Sequence, residues 1–313
     1  MHLAPASRPA RGLARAALLL VLVSACAAPA NNPPARSPAR AVTGAELAQA
    51  RGSAAERRTL FDAEQRLTAA CMRERGWPYR PLTWRADVPR PETDPRRADD
   101  VDLRRRAGYG AAAAATERPP ADPNGDRLRA MAKAQRERYG QALFGTPGHR
   151  IEVKLPDGTA FMNTDGCIAR AENRLYGDLK VWLGAQMSVM NLEGEISRRN
   201  FADPQVERTL RPWRACMKEA GHTYPDPEAA KAAFVRAYGE LAERGGRHPD
   251  GARELRRREV RVAVADATCD RNTGRARTLR TRDAAHRDEV ARERGQAVQT
   301  YRTLREQALA EAE

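Results

Sequence analysis

A short cysteine-bearing motif occurs twice in this chain and constrains what it can fold into more than any other feature. Residues 71–79 read CMRERGWPY, and 145 positions later residues 216–225 read CMKEAGHTYP. Each copy has Cys-Met, three residues and Gly, then Tyr and Pro within four positions. Two further matches follow in order: RERYGQAL around Tyr139 and Gly140 pairs with VRAYGELA around Tyr238 and Gly239, and beyond each lies one more cysteine, Cys167 or Cys269. The step from Tyr-Gly to the second cysteine is 27 residues in the first copy and 30 in the second. The step from the first cysteine to Tyr is 68 residues against 22, and the excess of 46 falls on the Pro- and Arg-rich stretch 80–125, expected to be a surface insertion. Internal similarity at this spacing implies a duplicated unit.

The N-terminus sets the compartment in which those cysteines are read. Arg8, Arg11 and Arg15 precede an unbroken apolar run, Ala16 to Val23, with no acidic residue among them. Eight apolar residues suit a secretory signal and fall well short of the ~20 that a membrane span needs. Val23, Ser24, Ala25 and Cys26 then resemble the lipobox of bacterial lipoproteins, which implies cleavage before Cys26 and a diacylglyceryl group on its sulfur. Two acyl chains, each contributing about 0.8 kcal/mol per buried methylene, hold a protein stably on a membrane where one is marginal. The expected organisation is a signal peptide over 1–25, a Pro-, Ala- and Asn-rich tether over 26–44 reaching roughly 55 Å if extended, a first helical repeat over 45–200, a second over 201–282, and a charged C-terminal helix over 283–313.

With Cys26 assigned to lipid, Cys71, Cys167, Cys216 and Cys269 remain, an even set that outside the cytosol reads as two disulfides. None stands in a C-x-x-C pair and no histidine lies at ligand spacing, so no metal site is expected. If each copy is a folding unit, Cys71 pairs with Cys167 and Cys216 with Cys269. The competing connectivity joins Cys71 to Cys216 and Cys167 to Cys269 across the copies.

Periodicity makes the chain mainly α. Leu60, Leu67 and Cys71 share a helical face that Gly76 and Pro78 end, and Val206, Leu210, Trp213 and Met217 share another, opened by Asp203 and Pro204 and ended by Gly221 and Pro225. Ile151, Val153 and Leu155 alternate, Asp157–Gly158 turns and Ala160–Met162 resume, which predicts one short hairpin. Residues 169 to about 199 read as a single helix. Val260, Val262 and Val264 alternate as a strand would, but their Arg- and Glu-rich setting equally fits a helix carrying Cys269. The C-terminal helix has a thin apolar face (Val290, Val298, Tyr301, Leu304), suggesting loose packing or a projecting arm.

The Cys-Met, Gly, Tyr, Pro signature resembles that of actinobacterial lipoproteins and secreted proteins of unknown function carrying one or two Cys-Met-x3-Gly motifs, often followed by Pro-Asp-Pro. Pro225, Asp226 and Pro227 match that ending, whereas the first copy has Arg80 and Pro81. The resemblance implies export and disulfides, and no activity.

Formal net charge is +14, three of it before Cys26, with Arg far outnumbering Lys. On an exported chain this does not point to nucleic acid; Arg and Glu alternate along most of the candidate helices, which reads first as a solvated surface, with contact to anionic lipid headgroups or wall polymers as the alternative. No H-E-x-x-H, G-x-S-x-G or phosphate-binding Gly loop occurs. His2, His149, His222, His248 and His286 form no constellation, and His222 has Trp77 as its counterpart, so it reads as packing. Asp99, Asp100 and Asp102 lie in the insertion as a solvated group. Tyr79, Tyr139, Tyr224 and Tyr238 are expected to pack with the cysteines. Without a reactive centre or cofactor, the expected function is that of a non-catalytic binding or accessory lipoprotein. Its partner would be a membrane protein, peptide or cell-wall component, met on the helical surface between the copies. A wall-contacting structural protein and an enzyme of unrecognised type are the alternatives.

Overall fold

The computed structural model describes residues 41–87, 90–117, 121–156, 158–244 and 249–312. The apolar run and the Cys26 segment lie outside them. The described residues are mainly helical with one two-stranded antiparallel hairpin, and no described helix is long and apolar enough to cross a membrane.

Helix α1 (Gly44–Leu47) is opened by a capping box, Thr43 accepting from the Glu46 amide and Glu46 reaching back to the Thr43 amide. Val42 and Leu47 are buried, so the folded body takes in the last residues of the expected tether. Helix α2 (Ala54–Glu74) begins with a second capping box at Ser53 and Glu56.

Its end explains the repeated motif. Gly76 sits at φ 76°; its amide donates to the Arg73 carbonyl at 3.0 Å, while the Trp77 amide donates to the Met72 carbonyl at 2.8 Å. This is a Schellman cap, whose left-handed residue is glycine because a Cβ there is strained. The second copy repeats it. Gly221 has φ 82°, Gly221 N–H reaches Lys218 at 3.0 Å and His222 N–H reaches Met217 at 2.8 Å. In Cys-Met-x3-Gly, Met is therefore the buried residue three before the cap, and the residue after Gly is the one that closes over it. Trp77 and His222 share that closing position, which accounts for their interchange.

The insertion holds α3 (Val101–Ala107) and α4 (Ala111–Thr116), and α5 (Gly125–Ala130) follows at its end. Helix α6 (Lys133–Phe144) carries Tyr139 and Gly140. Strands β1 (Arg150–Leu155) and β2 (Gly158–Asn163) pair in the register Ile151 to Met162 and Val153 to Ala160. The stretch expected as one helix is three: α7 (Cys167–Tyr176), α8 (Leu179–Met190) and α9 (Leu192–Ala202). Gly177 at positive φ ends the first, Asp178 caps the second by accepting from Lys180 and Val181 amides, and Asn191 divides the second from the third.

Asp203 and Pro204 open α10 (Pro204–Arg208), which stops before α11 (Leu210–Glu219). Pro212 has no N–H for the Arg208 carbonyl, and the helix breaks there. Asp226 then caps α12 (Pro227–Glu243). Val260, Val262 and Val264 lie on α13 (Pro249–Asn272), a helix that also carries Cys269. Their alternation is incidental to a face set by Glu259, Val262, Ala263, Asp266 and Cys269.

Disulfides join Cys71 to Cys167 and Cys216 to Cys269, with Cα separations of 5.6 and 5.7 Å. Each bond lies within one copy. The copies nevertheless complete one another. Tyr109 and Ala111 of the insertion are buried in the second copy's core with Trp213, Met217, Phe234 and Tyr238, which corrects the surface reading of 80–125. Conversely α14 (Arg275–Ala312), eight residues longer at its start than expected, is no loose arm. Its Val290, Val298 and Tyr301 sit in a core built from α1, α2, α7, α8 and α9 of the first copy. Trp182 stacks between Tyr176 at 3.5 Å and Tyr301 at 5.3 Å. The thin apolar stripe suffices because the helix also buries polar groups whose partners come from elsewhere. Asp283 accepts from Asn200 Nδ2 at 2.8 Å, and His286 meets Asn200 Oδ1 at 2.8 Å and Asp203 Oδ2 at 3.2 Å.

Candidate functional site

Two of the cavities among the described residues bear on function. One lies where the insertion meets the second copy. Glu259 is fully buried and accepts from the amides of Tyr109 (2.9 Å) and Ala111 (3.1 Å), from Tyr238 Oη (3.0 Å) and from Arg256 (3.1 Å). Two turns on, Asp266 accepts from Tyr109 Oη and Trp213 Nε1, both at 2.9 Å. Burial raises the Asp266 carboxyl to about 7, with the Asp270 charge adding to it. Asp270 is itself bound through both oxygens by buried Arg275. The cavity that Tyr109, Asp266, Asp270 and Arg275 border has a volume of only about 60 Å³, room for about two waters at about 30 Å³ each and far below a ligand site. Its carboxylates are spent on internal donors, so it locks the two copies together.

The second place is in the first copy and is different in kind. A groove of about 750 Å³ runs beside the Cys71–Cys167 bond, inside the range of small-molecule sites. Leu128 of α5, Tyr139 and Leu143 of α6 and Ile168 of α7 face it, Phe61 of α2 and Trp84 form an aromatic wall with ring centroids 5.5 Å apart, and exposed Leu82 and Phe144 border it. The wall is held by side-chain bonds to backbone. Buried Asn124 takes the Arg80 amide on Oδ1 at 2.8 Å and gives Nδ2 to the Arg80 carbonyl at 2.9 Å, as a strand partner would. Gln65 Oε1 accepts from the Leu82 amide and from Tyr79 Oη, both at 2.9 Å.

Tyr139 decides how the groove is read. Its ring is buried and packs edge-on against Trp77 at 5.7 Å, yet its hydroxyl has no hydrogen-bond partner. An unmade bond of this kind costs about 1–3 kcal/mol. Burial raises the Tyr139 hydroxyl above its ordinary pKa, and it raises Tyr79 to about 12, with Tyr139 and Asp122 adding to the effect on Tyr79. Two neutral phenols and the Asp122 carboxylate thus meet at one end of the groove. In the second copy the equivalent Tyr238 donates a hydrogen bond to Glu259, and the space over it is filled by α4.

The residues singled out by sequence are spread over the body. The four cysteines form the two bonds, Tyr79 and Tyr139 border the groove, and Tyr224 and Tyr238 pack in the second copy. Asp99, Asp100 and Asp102 are not a bare solvated group: Asp99 is held by Arg280 at 2.8 Å, Asp100 caps α3, and Asp102 pairs with Arg105. His149 contacts Asp165 at 3.3 Å, away from the groove. No group of three or more His, Cys, Asp or Glu among the described residues is arranged to hold a metal ion. The groove itself had no sequence signal beyond Tyr139 and Gly140.

Comparison with known proteins adds no assignment. No family model matches the chain, and no curated protein or solved structure is significantly similar to it.

Proposed function

We propose that this chain is an exported bacterial lipoprotein, processed before Cys26 and anchored by lipid on that cysteine at the outer face of the membrane. Its body acts as a non-catalytic binding protein whose ligand lies in the groove of the first copy. The observation that carries the binding reading is the unpartnered Tyr139 hydroxyl beside a ligand-sized, mostly apolar groove, where the same position in the other copy is satisfied from within. A fold retains such a cost where a ligand supplies the missing acceptor. The site lies inside one copy and not on the surface between them. Supporting export are the basic and apolar N-terminal run, the Val23-Ser24-Ala25-Cys26 sequence, and two disulfides in the remainder.

Two experiments test the two halves separately. Metabolic labelling with an alkynyl fatty acid marks the wild-type chain and not Cys26→Ser; label on both removes the anchor reading. For the groove, Gly140 lies on α6 facing it, and a Cβ built there meets nothing within 4 Å. The neutral dye Nile red, titrated into the Cys26→Ser chain, is expected to bind with a fluorescence rise that Gly140→Leu abolishes. Equal binding by both chains contradicts the site.

A further inference from the structure

Resting on that binding reading, we propose that the groove takes an anionic amphiphile, one long apolar chain ending in a carboxylate or phosphate, with its headgroup beside Arg80 and Arg127.

Many guanidinium groups of this body are engaged: Arg199 binds Glu195 and Glu293, Arg287 binds Glu193 and Asp283, and Arg294 binds Glu195. Around the groove, five guanidinium groups cluster without such a partner. Arg85 and Arg136 line it, and a shallower basin that shares Tyr79 with it is bordered by Arg73, Arg80 and Arg127 around Trp77. Among the described residues, none of these five side chains has an ion pair or a hydrogen bond to protein. Arg127 is half-buried and close enough to Tyr139 to favour its anion. The single carboxylate at this end, Asp122, accepts from the Asn124 amide at 2.8 Å and Nδ2 at 3.2 Å, both on Oδ1. Five unpaired cations facing one engaged carboxylate make a local positive field, which recruits and holds anions.

Apolar walls and that field are contiguous. The tail would lie along Leu128, Leu143 and the Phe61–Trp84 pair, and an acidic headgroup would reach the guanidiniums while an oxygen accepts from Tyr139 Oη. A free fatty acid and a phosphate ester both satisfy this chemistry. A neutral tail of the same length leaves the cations unused, and a cationic one is repelled.

The test is calorimetric titration of the Cys26→Ser chain with laurate, dodecyl phosphate and monolauroylglycerol, each below its micelle concentration, repeated with Arg80→Ala/Arg127→Ala. Both acids should bind roughly tenfold or more tighter than the neutral ester. The double variant should bring them to the ester's affinity and leave the ester unchanged. A preference between laurate and dodecyl phosphate then says which headgroup is favoured. Equal affinity for all three overturns the anionic reading and leaves the groove standing, whereas no binding of any of them by a chain that still takes up Nile red shows that the tail chemistry is wrong. If Nile red also fails, the binding site itself is refuted.

Discussion

Tyr139 and Tyr238 hold the same place in the two copies, and only Tyr238 has a partner: its hydroxyl donates to Glu259 at 3.0 Å while that of Tyr139 donates to nothing. Removing each hydroxyl should therefore act in opposite directions. Tyr139→Phe relieves an unmade bond and should leave thermal stability unchanged or raise it by about 1 kcal/mol. Tyr238→Phe takes a donor from a buried carboxylate and should lower it by about 1–3 kcal/mol. Paired melting curves check the contrast.

Glu259 should be the most sensitive side chain of the second copy. It fastens the Gly108–Ala111 turn to α13 through two amides while holding Arg256. Glu259→Ala leaves those donors buried without an acceptor, at a cost of about 3–5 kcal/mol. Limited proteolysis should then cut the variant within residues 105–117 before any other described segment.

Each disulfide closes a long loop, with sequence separations of 96 and 53. In the chain-entropy model they stabilise by about 4.7 and 4.2 kcal/mol. Cys71→Ser/Cys167→Ser should accordingly lose slightly more denaturant resistance than Cys216→Ser/Cys269→Ser. It should also loosen the groove, because Tyr139, Leu143 and Ile168 of its lining pack in one core with Cys71 and Cys167.

Glu172 carries a pH signature. Burial, and next the neighbouring Glu64 charge, raise its carboxyl to about 7. A folded-state value above the unfolded one means that the native form holds the proton more tightly, so its contribution to stability is present at low pH and fades between about 4.5 and 7. Glu172→Gln keeps the neutral shape, and its advantage over wild type should grow across that window to about 1–3 kcal/mol. Chemical denaturation at pH 4.5 and pH 7.5 reads the difference.

The parts of this fold that sequence made legible are those whose cause is local. Cys-Met-x3-Gly marks a helix end because Gly76 and Gly221 must adopt positive φ next to a buried Met, and Asp203-Pro204 marks a helix start for an equally local reason. The disulfide pairing followed from reading the two copies as closed units. What escaped depends on residues far apart. The insertion looked like surface because Tyr109 and Ala111 sit in an Arg- and Pro-rich stretch, and the carboxylate that buries them is 150 positions away. α14 looked like an arm because Asp283 and His286 interrupt its apolar stripe, and their partners lie on other elements. The groove is a space between α2, α5, α6 and α7, and a hydroxyl left without an acceptor has no signature in composition or spacing.

The central claim, a ligand site beside Tyr139, is tested most directly by methyl NMR of the Cys26→Ser chain during a Nile red titration. Leu128, Leu143 and Ile168 should shift in a saturable way while Val262 and Val290, in the other cores, stay still. Shifts spread evenly over all three cores, or none at the groove, would contradict it.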